Sequence, residues 1–141
     1  MHISTDTAVM DVDVIHGFLC HHSTWAKGIP RATVERSLQH SLCFGGFVDG
    51  GQIAFARVVS DRATFAYLMD VFVLPKYRER GYSRRLMEAV QNHPDLQQIR
   101  RFVLVSSTAR GLYEKFGFAP LAKPDTFMEI NHPDIYRQGS V

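Results

Sequence analysis

Apolar residues in the first third of the chain recur at helical spacing. Val14, Ile15, Phe18 and Leu19 share one face of residues 11–22, and Val34, Leu38 and Leu42 form one stripe in 31–42. Both stretches are predicted as amphipathic helices. The loop between them, STWAKGIP, carries the breakers Gly28 and Pro30. Residues 2–5 are predicted as a short first strand.

From residue 42 the period changes. LCFGGFV and QIAFARVVS are rich in apolar and aromatic residues, and Asp49, Gly50 and Gly51 between them supply a hairpin turn. After the short turn DRA comes a third long strand, TFAYLMDVFVLP. Strict alternation puts Phe65, Tyr67, Met69, Val71 and Val73 on one face and Ala66, Leu68, Asp70, Phe72 and Leu74 on the other. Both faces are mostly apolar, so this strand is expected to be central and covered on both sides.

Beyond RERGYS, the inward set Tyr82, Leu86, Ala89 and Val90 predicts a helix, which HPDLQQ ends. RRFVLVSS reads as another strand. In TARGLYEKFGF, Ala109, Leu112, Tyr113 and Phe116 stand at i, i+3, i+4 and i+7, with Gly117 where a C-terminal cap belongs. The tail FAPLAKPDTFMEI is expected to hold two short strands around a loop with Pro124. This order of elements describes an α/β (α+β) chain with a mixed sheet flanked by helices.

Composition narrows the class. A chain of 141 residues fits one domain, taken as 1–141. The 45% hydrophobic and 21% charged residues are ordinary for a globular protein. A net charge of +2 is too small to argue for nucleic acid or an acidic membrane as the main partner. No apolar run approaches the roughly 20 residues that span a bilayer, and MHISTDTAVMD lacks the basic start and apolar stretch of a secretory signal. A cytoplasmic location is expected. Cys20 and Cys43 cannot build a disulfide framework. CHH at 20–22 has no second ligand pair at a zinc-like spacing, so no metal is expected and Cys20 reads as a buried thiol beside surface histidines.

RERGYS raises a different question. A strand that enters a helix through a glycine-containing turn resembles a phosphate-binding arrangement, because free amides and the helix dipole favour an anion there. Gly81 allows close backbone approach or an unusual backbone angle. Arg78, Arg80, Arg84 and Arg85 crowd an N-terminus whose own field opposes them, which makes sense if an anion binds. The alternative is a solvated turn. Neither G-x-x-x-x-G-K-[ST] nor G-x-G-x-x-G is present, which argues against a nucleotide triphosphatase and a dinucleotide fold.

VFVLPKYRERGYSRRLM resembles the acetyl-CoA-binding segment of the GNAT N-acetyltransferase superfamily. The family pattern is Arg or Gln, two residues, Gly, one residue, then Gly or Ala; here it reads Arg78, Gly81 and Ser83, a departure at the last position. ARGLYEKFGF resembles the second family signature, and the order of elements matches over nearly the whole chain.

The resemblance implies a mostly antiparallel twisted sheet with a splayed strand pair that binds CoA. Val71, Phe72 and Val73 would pair with the pantetheine arm, and Arg78, Glu79, Arg80, Gly81, Tyr82, Ser83 and Arg84 would surround the pyrophosphate. The implied reaction is attack by an acceptor amine, small-molecule or peptide, on the acetyl thioester in a ternary complex. Acetyl-CoA is a co-substrate, and no metal is required. Tyr113 occupies the position of the acid that protonates the leaving thiolate. With ordinary pKa values near 8.5 for a thiol and 10 for a phenol, that transfer is uphill by ~2 kcal/mol in water.

Asp70 is the lone carboxylate of the long strand. It is either a base or the partner of a structural pair, with Arg57 as the candidate cation. Many relatives carry a carboxylate one position earlier, at Met69, which by alternation is the opposite face. Trp25 and Tyr67 are the acceptor-site candidates, with Lys27 and Arg31 beside Trp25. Two other readings compete: a non-catalytic CoA-binding or sensing domain, and a nucleic-acid module built on RERGYSRR, against which the low net charge argues. A homodimer is compatible with the family.

Overall fold

The computed structural model describes residues 1–138. Five strands form one sheet: β1 (His2–Ser4), β2 (Leu42–Val48), β3 (Gly51–Ser60), β4 (Phe65–Val73) and β5 (Arg101–Leu104), in the order β1-β2-β3-β4-β5. The first three pairings are antiparallel and β4–β5 is parallel. The helices are α1 (Val12–His21), α2 (Arg31–Gln39), α3 (Tyr82–Gln91), α4 (Arg110–Glu114) and α5 (Ile135–Gln138). This is the expected mixed sheet flanked by helices.

Each sheet face has its own core. The stripes of α1 and α2 (Ile15, Phe18, Leu19, Val34, Leu38) meet Cys43, Phe55 and Phe72. On the other face Leu86, Met87 and Val90 of α3 and Tyr113 of α4 meet Phe44, Ala56, Val58, Leu68 and Val73. Asp11 starts α1 as an N-cap, its carboxylate accepting from the Val14 amide at 3.2 Å. The β2–β3 turn is tighter than expected, because Gly51 already belongs to β3.

β4 is covered on both faces, yet it is next to the edge rather than central. Its faces also differ from strict alternation. Val73 pairs with Ala54 and Phe72 with Phe55, but Met69 pairs with Arg57. Three steps along β4 therefore match two along β3, which is a β-bulge at residues 70 and 71. Asp70 has φ +55°, a left-handed angle that aspartate tolerates better than most residues. Past the bulge the alternation resets. Ala66, Leu68, Val71 and Val73 all join the α3–α4 side, while Phe72 joins the α1–α2 side. The β4–β5 ladder ends at Leu68 and Leu104, where β5 itself ends, while β4 runs on to Val73 without a strand beside it on that side.

The C-terminal third departs most from expectation. α4 is short, but turns continue to a Schellman cap: Phe118 donates to the Tyr113 carbonyl at 3.2 Å and Gly117 to that of Glu114 at 3.1 Å, with Gly117 at φ +92°. The two expected tail strands are absent. A 3-10 turn spans Pro124–Thr126, and no strand follows β5 among the described residues. A strand exists only with a partner to complete its ladder, and this segment does not pair with β5 of its own chain.

Candidate active site

The basic turn has the backbone its sequence calls for. Glu79 has φ +64° and Gly81 φ +76°, and Gly81 is the N-cap of α3 without any side-chain cap. Arg85 is the first residue to donate a helical bond, to the Gly81 carbonyl at 3.2 Å. Among the described residues, the amides of 79–84 have no intrachain acceptor. They form a run of free donors at the positive end of a ten-residue helix. A Cβ placed on Gly81 would meet nothing within 4 Å, so the turn is open on that side.

The arginines are not equivalent. Arg78 folds back, its Nε donating to the Val73 carbonyl at 3.0 Å, and so ties the turn to the end of β4. Arg80 lies 5.7 Å from the Tyr77 ring centroid and Arg84 stands 3.4 Å from Glu88. Tyr82 and Ser83 are half-buried at the first turn of α3. Val71, Phe72 and Val73 lie on the part of β4 beyond the β5 ladder.

The bulge builds a second constellation. Arg57 Nε donates to Asp70 Oδ2 at 2.9 Å, and the indole of Trp25 donates to Oδ1 at 2.8 Å. The two charged side chains are 13% and 7% exposed, so each depends on the other for its charge to be buried at tolerable cost. Arg57 also donates to Ser41 Oγ at 3.1 Å and stands 3.5 Å from Met69 Sδ. Met69 and Asp70 thus reach the same guanidinium. The expectation that they face opposite sides is overturned by the bulge. Alternation had predicted neither Ser41 nor this convergence; an Arg on β3 opposite Asp70 was the one available signal.

Trp25 is half exposed, and its ring lies 6.4 Å from Phe18, which stacks on Phe72 at 4.1 Å. The loop between α1 and α2 is therefore clamped onto β4. Tyr67 lies on the same face as Met69, half-buried. Arg31 does not join them; it pairs with Asp13 and Glu35 on the helices. Lys27 is exposed. Cys20 is half-buried rather than buried, and His21 and His22 are exposed. Among the described residues no group of three or more His, Cys, Asp or Glu is placed to hold a metal ion, and no helix is long and apolar enough to cross a membrane.

Tyr113 projects from α4 into the core shared with Val73 and Leu86, and the residue is 8% exposed. It meets Phe118 edge-on at 6.1 Å. Its hydroxyl makes no side-chain bond, and no buried polar side-chain atom is left without a partner, so the oxygen opens to solvent. Burial raises its pKa above the ordinary phenol value. A phenol so placed is fully protonated at neutral pH and can give up its proton only to a nearby base.

Known proteins match this arrangement. A candidate acetyltransferase of the GNAT family from Xanthomonas campestris pv. campestris superposes with a TM-score of 0.94 at 58% identity, over 96% of this chain and 95% of that one. A Gibberella zeae protein named as a candidate acetyltransferase is 29% identical over 136 residues, 80% of this chain and 75% of its own. An aminoglycoside N-acetyltransferase in complex with CoA superposes with a TM-score of 0.53 at 26% identity, over 72% of this chain and 82% of that one. The profile of the acetyltransferase (GNAT) domain matches residues 39–120, more than half of the chain, and the protein belongs to the GNAT acetyltransferase family.

Proposed function

We propose that this protein is an N-acetyltransferase that moves the acetyl group of acetyl-CoA to an acceptor amine by direct attack, with both substrates bound at once. The observation that carries the reading is the run of free amides at 79–84, set at the head of α3 and tied by Arg78 to the end of β4, where β4 runs on past the end of β5. In this reading the pyrophosphate sits on those amides, with Arg78, Arg80 and Arg84 around it. The pantetheine arm runs along Val71, Phe72 and Val73. Residues 1–141 act as one domain. A cytoplasmic setting, where the free thiols of Cys20 and Cys43 persist, completes the picture.

Bound acetyl-CoA supplies an activated acyl group as a thioester, and the chain supplies position and a proton. Tyr113 holds that proton for the departing sulfur. Burial of the side chain holds its pKa above the ordinary phenol value, so it carries its proton at neutral pH. The acceptor approaches over Trp25 and Tyr67. Asp70 is assigned a positioning role: with Arg57 on one oxygen and Trp25 on the other, it fixes the indole beside the acceptor path. As a base it would give up the charge that balances buried Arg57, and water can take the proton of the amine instead.

The test is a panel of amines, from polyamines and amino acids to peptide N-termini, assayed for released CoA. Turnover of at least one amine is expected, together with a rise in Tm with excess acetyl-CoA and none with DNA. Stabilisation by acetyl-CoA without turnover of any amine would point to the sensing domain. No stabilisation at all would overturn the reading.

A further inference from the structure

One stretch of the sheet is left uncovered where β3 and β4 pair. Arg57 stands opposite Met69 and Val59 opposite Tyr67, and residues directly opposite in an antiparallel pair point to the same side. Val58 and Leu68 between them belong to the α3–α4 core, so these four face the α1–α2 side. The core on that side reaches Phe55 and Phe72 but takes in none of Val59, Tyr67 and Met69. Val59 is 40% exposed and Phe65, next on the same face, 38%; Tyr67 and Met69 are half-buried. The half-exposed indole of Trp25, pinned by its bond to Asp70, stands at the bulge end of this apolar strip. A rigid aromatic beside uncovered apolar side chains marks a binding surface better than a folding one.

The charges around the strip are one-sided. Residues 14–34, which include the loop that carries Trp25, contain no Asp or Glu but hold three histidines, Lys27 and Arg31. The nearest carboxylates along the chain, Asp13 and Glu35, both pair with Arg31. On the strip itself Asp70 is neutralised by Arg57 and is 7% exposed. At the far turn the Asp61 carboxylate is taken up by the Thr64 hydroxyl and three amides. Lys27 and Arg101, the latter opposite Phe65, are exposed and in no ion pair among the described residues. The surface therefore offers apolar contact and no free negative charge.

We infer that the acceptor is a small aromatic monoamine, with its nitrogen at the Asp70 bulge and its ring over Met69, Tyr67 and Val59 against Trp25. The inference rests on the acetyl-transfer reading, because the cofactor assigned along Val71, Phe72 and Val73 sets which end of the strip the nitrogen takes. There the nitrogen bonds the acetyl carbon and the carbon–sulfur bond breaks with its electron pair going to sulfur. Water takes one proton from nitrogen, and Tyr113 gives one to sulfur. A ring suits the strip better than an aliphatic chain, since ring stacking on an indole and the thioether of Met69 both add to the area covered. One ammonium can rest against the indole face. A second, as in a polyamine or an aminoglycoside, would meet no free carboxylate.

Two measurements on the full chain keep this inference apart from the acetyl-transfer reading. The first follows CoA released with phenethylamine, butylamine, spermidine or kanamycin as acceptor. kcat/KM for phenethylamine should exceed that for butylamine about 10- to 100-fold, the worth of covering one aromatic ring, and those for the two polycations by more. The second uses Trp25, the one tryptophan of the chain, whose emission reports on the strip directly. With CoA in place of acetyl-CoA, phenethylamine should shift that emission saturably and spermidine should not. Val59→Glu puts a free carboxylate on the strip at an exposed position. It should raise KM for phenethylamine about tenfold, more than it lowers kcat, and narrow the gap to spermidine. Butylamine, spermidine or kanamycin turned over as well as phenethylamine would overturn the inference and leave acetyl transfer standing. So would an unchanged preference in folded Val59→Glu, or no response of Trp25 to the aromatic amine. A saturable Trp25 shift without turnover of any amine would support the aromatic site and remove the transferase reading.

Discussion

The indole of Trp25 donates to Asp70 across 45 residues of sequence, at 2.8 Å, and the same carboxylate holds Arg57 at 2.9 Å. One side chain at a β-bulge thus joins the loop between the first helices to two strands of the sheet. Asp70→Asn keeps the shape but sets an amide NH2 against one of the two donors and leaves Arg57, a side chain only 13% exposed, without a counter-ion. The expected loss is about 3 kcal/mol, or on the order of 10 °C in Tm. The acidic limb of the rate profile should stay where it is. A shifted limb at unchanged Tm would make Asp70 a base.

Arg78→Ala and Arg80→Ala should each weaken acetyl-CoA binding by roughly 1–3 kcal/mol, the worth of a charge-assisted hydrogen bond. Arg78 carries the further task of tying the turn to Val73. Gly81→Val should be worse. The open space at its Cβ means the penalty comes from a β-branched residue at φ +76°, not from a clash. Calorimetry on the three folded variants checks this; unchanged affinity in all of them removes the pyrophosphate from the turn.

Tyr113→Phe deletes one oxygen and keeps the edge-on contact with Phe118. Turnover should fall about 10- to 1,000-fold with little change in cofactor affinity. The raised phenol pKa also sets a sign. Folded Tyr113 keeps its proton to higher pH than the unfolded chain does, so its contribution to stability is complete below about pH 10 and is lost above it. Any decline in rate between pH 7 and 9 must come from another group, and it should persist in Tyr113→Phe.

Asp61 shapes the β3–β4 turn. Its carboxylate accepts from the Thr64 hydroxyl at 2.6 Å and from the amides of Ala63, Thr64 and Phe65. The Thr64 bonds, then that of Ala63, hold its pKa well below the usual carboxylate range. A depressed pKa stabilises the fold above the unfolded value and loses that effect as pH falls, here below about pH 4. Asp61→Asn should lower Tm at pH 7 and flatten its fall in acid. An unchanged acid slope in thermal melts would contradict this.

Cys43 should be inert while the protein is folded. Burial, opposed by Arg57 and reinforced by Asp70, pushes its thiol up to about 11. Only about one molecule in a thousand carries the thiolate at pH 8. A thiol reagent should label Cys20 in the native protein and both cysteines in urea. Two fast-reacting thiols without denaturant would mean that the α1–α2 face opens readily.

Sequence by itself determined what depends on near neighbours. The stripes of α1, α2 and α3 are visible because each helix buries one face, and the hairpin at Asp49 and Gly50 because few residues accept its backbone angles. The amide run at 79–84 was legible only through the family resemblance of the segment around RERGYS, since a glycine at a helix start equally fits a solvated turn. Only the tertiary structure decided the rest. FAYLMDVFV is apolar on both sides, so a slip of one residue at Asp70 leaves no trace in the pattern, although it moves Val71 and Val73 to another core. That bulge is settled by the register against β3 and by the pairing with Arg57. The tail shows the same limit. FMEI has the composition of a strand, but a strand is completed by hydrogen bonds to a neighbour, and composition does not say where that neighbour is.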